Sequence, residues 1–175
     1  RQRQMCIRDS AMGVYVALGH SDASYEDAMK AVNEGANIFV HTYNGMSGLH
    51  HRNPGMVGAA MNSNAISELI CDGHHVNPAA ANALMNVKGR EHIALITDCM
   101  SAGGMKDGDY MLGEFPVIVK DGTARLKDSG SLAGSILKLK DAVKNIVSWE
   151  IADVFEAIQM ASLVPVSYTH LRAHE

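Results

Sequence analysis

Residues 13–44 have the sequence GVYVALGHSDASYEDAMKAVNEGANIFVHTYN. Two short apolar stretches rich in β-forming residues, 13–18 and 36–40, flank one segment of helical length, and a histidine follows each of them, His20 and His41. This strand–helix–strand order predicts two parallel strands whose C-terminal ends lie at the same edge of a sheet. Enzymes built on parallel sheets carry their chemistry at that edge. The two histidines are therefore the first candidates for a functional site.

The composition is that of an ordinary globular domain. The chain has 175 residues, of which 47% are hydrophobic and 19% are charged, and its formal net charge is -4. This length supports one domain with a real core, and the composition argues against disorder, nucleic-acid binding and a membrane span. The three cysteines, Cys6, Cys71 and Cys99, have no C-x-x-C spacing, and the N-terminus does not resemble a secretory signal. Both observations favour a reducing, cytoplasmic location.

The first hundred residues alternate between strands and helices. Hydrophobic patterns predict strands at 13–18, 38–42, 66–71 and 93–97. One helix is expected to begin after Ser24 and to stop at Gly35. Another is expected to begin after Asn77, with Pro78 in its first turn, and to stop at Gly89. A shorter helix is expected around 56–61. Repeated β-α-β units predict a parallel sheet. Periodicity alone leaves open whether that sheet is doubly wound or closed into a barrel.

The pattern changes after residue 107. Short strands are predicted at 110–112, 115–119 and 123–126, with a hairpin turn at Asp121-Gly122. A loop rich in glycine and serine at 130–135 leads to two helices at about 136–147 and 151–163. Residues 1–10 and 166–175 do not continue the neighbouring patterns, so we interpret them as non-native tails and assign His170 and His174 no functional role.

Three residues lie at predicted strand ends, where metal ligands and proton-transfer groups occur. Neighbouring strands are about 4.8 Å apart, so imidazoles at their ends can share one metal ion, and neutral imidazole suits zinc or iron(II). Asp98 ends the fourth, almost wholly apolar strand, where a carboxylate is costly unless it meets a charge or a metal. Next to a metal-bound water it could accept a proton and later pass it to a leaving amine. His20, His41 and Asp98 together predict a metal-assisted hydrolase.

Other polar loops follow the same strands. Arg52, in the loop 50–55, can recognise a phosphate or a carboxylate, although a solvated surface loop explains this segment equally well. The run 71–76 follows the third strand, so one of its histidines should also face the strand ends. The sequence contains no P-loop, no dinucleotide-binding fingerprint and no nucleophile elbow of a serine hydrolase, which lowers support for those classes.

Seven short motifs, in this order, resemble those of the N-acetylglucosamine-6-phosphate deacetylases of the amidohydrolase superfamily. They are GHSDA at 19–23, HTYNGM at 41–46, HHRNPG at 50–55, DGHHV at 72–76, TD at 97–98, DGDYMLG at 107–113 and LAGS at 132–135. The resemblance covers residues 11–165. It implies a cytoplasmic hydrolase that converts N-acetylglucosamine 6-phosphate to glucosamine 6-phosphate and acetate, with a divalent metal ion, zinc or iron(II), as cofactor.

The resemblance also implies a role for each matching residue. His20 and His41 would be metal ligands, and Asp98 would be the general base and acid. The residues that would bind the substrate are Asn44, Gly45 through its backbone, Arg52, His75, Leu132, Ala133 and Gly134. Because the arginine can come from the partner subunit in such enzymes, a homodimer is implied.

The implied fold class is α/β, a (β/α)8 TIM-type barrel with a small β-sandwich domain. The sequence supplies the second half of the barrel at 11–109, a sandwich hairpin at 110–131 and the closing helices of the barrel at 132–165. The family's third metal ligand, a glutamate, lies upstream of this sequence, so we expect a C-terminal fragment that is inactive alone. Two alternatives stay open: a superfamily deacetylase or cyclic amidase for another substrate, and a non-catalytic sugar-phosphate-binding barrel.

Overall fold

The computed structural model describes residues 12–169, which form two sheets. The first sheet is parallel, in the order β1 (Val16–Leu18), β2 (Ala36–Phe39), β3 (Ile66–Ile70) and β4 (Ile93–Ile96). The helices that connect these strands are α1 (Tyr25–Asn33), α2 (Gly55–Met61) and α3 (Pro78–Lys88), and a 3-10 turn at Arg90–His92 precedes β4. The prediction of an α/β chain with a parallel sheet is confirmed.

The second sheet is small and antiparallel. It consists of β5 (Gly108–Leu112), β6 (Phe115–Lys120) and β7 (Thr123–Leu126), joined in that order by hairpins. Asp121 and Gly122 have φ values of 50° and 78°, the left-handed conformation that a tight two-residue hairpin requires, so the predicted turn is confirmed. The helices α4 (Leu139–Ser148), α5 (Val154–Ala161) and α6 (Leu163–Thr169) follow. Within residues 12–169 no helix combines the length and the apolar character needed to cross a bilayer.

Side-chain caps begin two helices where the sequence predicts. The Ser24 hydroxyl accepts the backbone N–H of Asp27 at 3.1 Å, and the Asn77 side chain accepts that of Ala79 at 2.9 Å. Gly89, with a φ of 78°, follows the last residue of α3. Such caps satisfy backbone groups that a helix end leaves unpaired. The boundaries of α1 and α3 therefore follow from chemistry within a few residues of each end.

The centre of the parallel sheet is buried. Phe39, Leu69, Ile70, Ile93 and Leu95 are each no more than 2% exposed. Apolar side chains of α3, α4 and α5 pack against β3 and β4, whereas those of α1 and α2 pack against β2. Strands that are covered on both faces tend to be continuous apolar runs, and β4, with the sequence IALI, is one. This core fixes the positions of the strand ends.

Some boundaries differ from the predicted ones. β2 is Ala36–Phe39 instead of 38–42, because the chain turns into left-handed conformations at His41 and Tyr43. α4 begins at Leu139 instead of residue 136, and the preceding Leu137 N–H bonds the Ser135 hydroxyl instead of entering the helix. α5 begins at Val154 instead of residue 151, after a capping box.

Of the two segments that we interpret as non-native tails, 1–10 and 166–175, the structure describes only 166–169. Helix α6 extends to Thr169 and so includes 166–169, which the sequence patterns assigned to the second tail. Residues 1–10 with Cys6, and 170–175 with His170 and His174, lie outside the described residues.

Gly55 begins α2 in a conformation that favours glycine. Its φ is 60°, and a Cβ there would lie 2.7 Å from the carbonyl oxygen of Gly48 and 2.8 Å from that of Ser47. Gly55→Ala should therefore lower the free energy of unfolding by about 2 kcal/mol or more, measured by urea denaturation. Gly48→Ala is the matched control because a Cβ at Gly48 meets nothing within 4 Å, and its effect should stay within about 0.5 kcal/mol. Equal losses in the two variants would contradict this explanation.

Candidate active site

Two adjacent strand ends bring His20 and His41 together. β1 and β2 pair in parallel with Leu18 opposite Phe39, and each histidine lies two residues beyond that pair. Their Nε2 atoms are 2.9 Å apart, and the rings meet edge to face with centroids 4.5 Å apart. The sheet thus places the two imidazoles side by side, as the strand–helix–strand pattern predicts.

An ionisable residue occupies the same position after every strand of the parallel sheet. His20, His41, Asp72 and Asp98 lie two residues beyond the ends of β1, β2, β3 and β4. His20, His41 and Asp98 have φ values of 44°, 30° and 47°, in the left-handed region that non-glycine residues rarely adopt. Such a conformation costs on the order of 1–3 kcal/mol and is concentrated at functional sites, where the surrounding structure enforces it. The strand ends therefore have the backbone strain typical of a functional site.

The two histidines fit part of a metal centre. Nitrogens 2.9 Å apart can bind one ion, since zinc–nitrogen bonds measure about 2.0–2.1 Å. The Nδ1 atom of His41 is buried without a hydrogen-bond partner among the described groups. Within residues 12–169 no set of three His, Cys, Asp or Glu side chains is arranged to hold a metal ion. The described residues thus place two imidazole nitrogens where both can reach one ion, whereas a catalytic zinc usually has three protein ligands.

Glu68 is a half-buried acid beside this pair that sequence patterns did not single out. Its carboxylate accepts a hydrogen bond from the Tyr168 hydroxyl, 2.9 Å away, and another from the backbone N–H of His41. Burial raises the pKa of Glu68, with the nearby Asp98 carboxylate adding to the effect and the two hydrogen bonds opposing it. The signal that could have revealed Glu68 is an acid inside a predicted buried strand, next to Leu69 and Ile70.

Asp72 holds His75 in one orientation. Its Oδ2 atom lies 2.6 Å from Nδ1 of His75, and its Oδ1 atom accepts the backbone N–H groups of His74 and His75, both at 2.8 Å. Burial acts to raise the pKa of Asp72, but the hydrogen bonds from His75 and His74 leave it below its usual value. With Nδ1 facing a carboxylate, the neutral imidazole of His75 keeps its proton on Nδ1, and its Nε2 atom bonds no group among the described residues.

Asn44 and Gly45 pack against the histidine pair. Asn44 donates its backbone N–H and its side-chain amide to the carbonyl oxygen of His41, at 3.0 and 3.3 Å. Gly45 has a φ of 62° and lies so close that a Cβ would be 2.9 Å from Nδ1 of His20. A cavity of about 320 Å³ opens at this point, lined by His20, Ser21, Asp22, Gly45 and Met46. This volume is within the range of small-molecule sites.

Arg52 lies on an exposed loop. Its guanidinium group contacts the neighbouring imidazole of His51, with 2.7 Å between Nη1 and Nε2. The rings of His50 and His51 are also close, with centroids 4.2 Å apart. This loop therefore presents its polar groups to solvent.

Leu132, Ala133 and Gly134, which the family resemblance assigns to substrate binding, differ in what they can contact. The Ala133 side chain is 5% exposed and belongs to the core of the small antiparallel sheet, so a ligand could meet only its main chain. Leu132 pairs with Arg125 of β7. A Cβ on Gly134 would lie 3.1 Å from the carbonyl oxygen of Asp98. The structure thus brings Gly134 next to Asp98.

Known proteins resemble the chain in sequence. It is 49% identical over 156 residues to the N-acetylglucosamine-6-phosphate deacetylase of Vibrio furnissii, across 89% of the chain and 39% of that protein. It is 51% identical over 127 residues to an Escherichia coli (strain K12) protein provisionally named N-acetylgalactosamine-6-phosphate deacetylase, across 72% of the chain and 75% of that protein. No protein-family model matches the sequence.

A solved structure has the same fold. The chain superimposes with a TM-score of 0.93 and 30% identity on a variant of the N-acetylglucosamine-6-phosphate deacetylase of Mycobacterium smegmatis, solved in complex with N-acetylglucosamine 6-phosphate. The match covers 98% of the chain and 46% of that structure, and the chain spans about two fifths, 39%, of the Vibrio furnissii protein. The chain belongs to the family of N-acetylglucosamine-6-phosphate and N-acetylgalactosamine-6-phosphate deacetylases.

Proposed function

We propose that this chain is the C-terminal part of a metal-dependent deacetylase of the amidohydrolase superfamily, and that it supplies two metal ligands and the proton-transfer carboxylate. The reaction is hydrolysis of the acetamide of N-acetylglucosamine 6-phosphate to glucosamine 6-phosphate and acetate. The observation that carries this proposal is the 2.9 Å approach of the His20 and His41 Nε2 atoms at the sheet edge where Asp98 follows β4. The names of the relatives supply the substrate class.

We infer that the full-length protein is a (β/α)8 barrel with a small β-sandwich domain. In this division 11–109 form the second half of the barrel, 110–131 a sandwich hairpin and 132–165 the closing helices, while 1–10 and 166–175 are non-native tails. Among the described strands, β1 and β4 each pair on one side only. Barrel closure pairs such edges with further strands. Because the described strands leave both of these edges unpaired, we expect the chain alone to be inactive.

His20 and His41 are the two ligands that this chain gives to a divalent metal ion. When bound, zinc or iron(II) supplies Lewis acidity towards water and the amide carbonyl. The family resemblance assigns the third protein ligand to a glutamate outside this sequence. Cys71 and Cys99 are free thiols, which suits the reducing cytoplasm that we infer for the enzyme.

Asp98 is the proton-transfer group in this proposal. Its side chain is exposed, and within residues 12–169 it has no hydrogen bond or ion pair, so its oxygens are available to a substrate. As the attacking water adds to the acetamide carbon, Asp98 takes one of its protons. As the carbon–nitrogen bond breaks, Asp98 returns that proton to the departing sugar amine. The carboxylate is thus regenerated at the end of each turnover.

Substrate binding falls to groups around the histidine pair. Gly45 borders the cavity, Asn44 bonds the His41 carbonyl beside it, and Asp72 holds His75, whose Nε2 atom bonds no group within residues 12–169. In the loop of Leu132, Ala133 and Gly134, Gly134 lies against the main chain of Asp98, and the buried Ala133 can offer a substrate only its main chain. Arg52 sits on an exposed loop, consistent with an arginine that serves the partner subunit of a homodimer. Its charge suits the sugar phosphate.

N-acetylgalactosamine 6-phosphate is a second candidate substrate. Relatives that are 50% and 51% identical are named for that substrate, and the relative named N-acetylglucosamine-6-phosphate deacetylase is 49% identical. The two sugars differ only in the configuration at C4. The kcat/KM values for the two 6-phosphates, measured on the full-length protein, decide between them.

Asp98→Asn tests the catalytic assignment. In the full-length protein it should lower kcat for acetate release by about 10²–10⁴-fold, because general acid–base catalysis contributes that much. The metal content should stay unchanged. Asp128→Asn, at an exposed aspartate beyond β7, is the matched control and should behave as wild type. Near-normal turnover of metal-loaded Asp98→Asn would exclude the assigned role.

His75→Gln tests whether His75 binds the phosphate of the substrate. It should raise KM for N-acetylglucosamine 6-phosphate by about tenfold or more, since hydrogen bonds to charged groups contribute about 1.5–3 kcal/mol. Turnover of unphosphorylated N-acetylglucosamine should change little. His74→Gln, at the exposed neighbouring histidine, is the control. Equal losses on both substrates would assign His75 to the sugar ring or the acetamide instead of the phosphate.

A further inference from the structure

Ser135 is hydrogen-bonded through its backbone and its side chain to the turn that carries Asp98. Its N–H donates to the carbonyl oxygen of Asp98 at 2.8 Å, and its carbonyl oxygen accepts the N–H of Met100 at 2.9 Å. Its hydroxyl donates to the carbonyl oxygen of Thr97 and accepts the N–H of Leu137 at 3.0 Å. Ser135 is only 2% exposed, so water does not replace these bonds easily.

The segment that ends at Ser135 is itself fixed to the small antiparallel sheet. The Leu126 N–H donates to the carbonyl oxygen of Ser131 at 2.9 Å, and the Ala133 N–H donates to that of Ala124 at 3.0 Å. Residues 131–135, which we call the connecting segment, thus join β7 to the end of β4. The turn after β4 is therefore held from the second sheet as well as from its own strand.

Asp98 depends on this support. Its φ of 47° is a left-handed conformation, which persists only when the surrounding structure enforces it. No group within residues 12–169 bonds its carboxylate, so the side chain is placed by its main chain alone. The Ser135 N–H bonds the Asp98 carbonyl, the Ser135 carbonyl accepts the N–H of Met100, and the Ser135 hydroxyl bonds the Thr97 carbonyl. These three bonds brace the main chain on both sides of Asp98.

We propose that Ser135 is a positioning residue for Asp98: its hydroxyl holds the turn after β4 so that the carboxylate points at the reacting amide. The proposal rests on the proton-transfer role given to Asp98 under the proposed function. Without the hydroxyl, the part-buried Thr97 carbonyl and the buried Leu137 N–H lose this hydrogen-bond partner, and the turn relaxes. Misplacement of a catalytic group by about 1 Å can lower a rate by about 10²-fold.

Ser135→Ala in the full-length protein is the test. We expect kcat to fall by about 10–100-fold, with KM within about twofold of wild type and with unchanged metal content. Ser67→Ala is the matched control: Ser67 is a fully buried serine on β3 whose hydroxyl has no hydrogen-bond partner among the described groups. It should leave kcat unchanged. If Ser135→Ala does not fold, Ser135→Cys retains a weak donor in the same place, and we expect a smaller kcat loss of about 3–10-fold.

A double-mutant cycle separates positioning from a purely structural role. If Ser135 acts through Asp98, adding Ser135→Ala to Asp98→Asn should cause no further loss of kcat. An equal loss in both backgrounds, or a Ser135→Ala variant that behaves like Ser67→Ala, would overturn the inference while leaving the role of Asp98 intact. Near-normal turnover of Asp98→Asn itself would instead overturn the proposed function.

Discussion

The candidate site depends on the pairing of β1 with β2. Leu18 lies opposite Phe39, and this register carries forward two residues to His20 and His41, whose Nε2 atoms approach to 2.9 Å. A shift of one residue in either strand would turn one imidazole away from the other. Because Phe39 is fully buried, the packing of the sheet rather than the loops sets this register. The relative placement of His20 and His41 therefore depends on packing in the core.

Residues that follow these strands also have strained backbone conformations. His20, His41 and Asp98 adopt left-handed conformations, whereas after β3 the positive φ falls on Gly73, and Asp72 forms a carboxylate–imidazole pair with His75 instead. The strain must be offset by contacts from elsewhere. The backbone N–H of Asn44 bonds the His41 carbonyl, and Ser135 bonds the Asp98 turn. The small antiparallel sheet, which carries no candidate metal ligand, therefore still contributes to the geometry of the site.

Local chemistry determined what could be predicted from the sequence. Ser24 and Asn77 cap helices through backbone groups only two or three residues away, so their roles are visible in the sequence itself. Ser135 bonds Thr97, which is 38 residues away in the sequence, and Glu68 bonds Tyr168, which is 100 residues away. Hydrophobic periodicity carries no information about such long-range contacts. The apolar pattern through Val40 also predicts a longer β2 than exists, because periodicity does not reveal the left-handed turn at His41. Periodicity also does not distinguish an open sheet from a barrel, because both are built from the same β-α-β units.

The central claim is that His20 and His41 bind one metal ion through their Nε2 atoms. Crystals of the metal-loaded full-length protein, with diffraction recorded on both sides of the zinc and iron absorption edges, locate such an ion directly. We predict an anomalous peak about 2.0–2.2 Å from both Nε2 atoms. An active, metal-loaded protein whose peak contacts only one of these histidines, or neither, would contradict the claim.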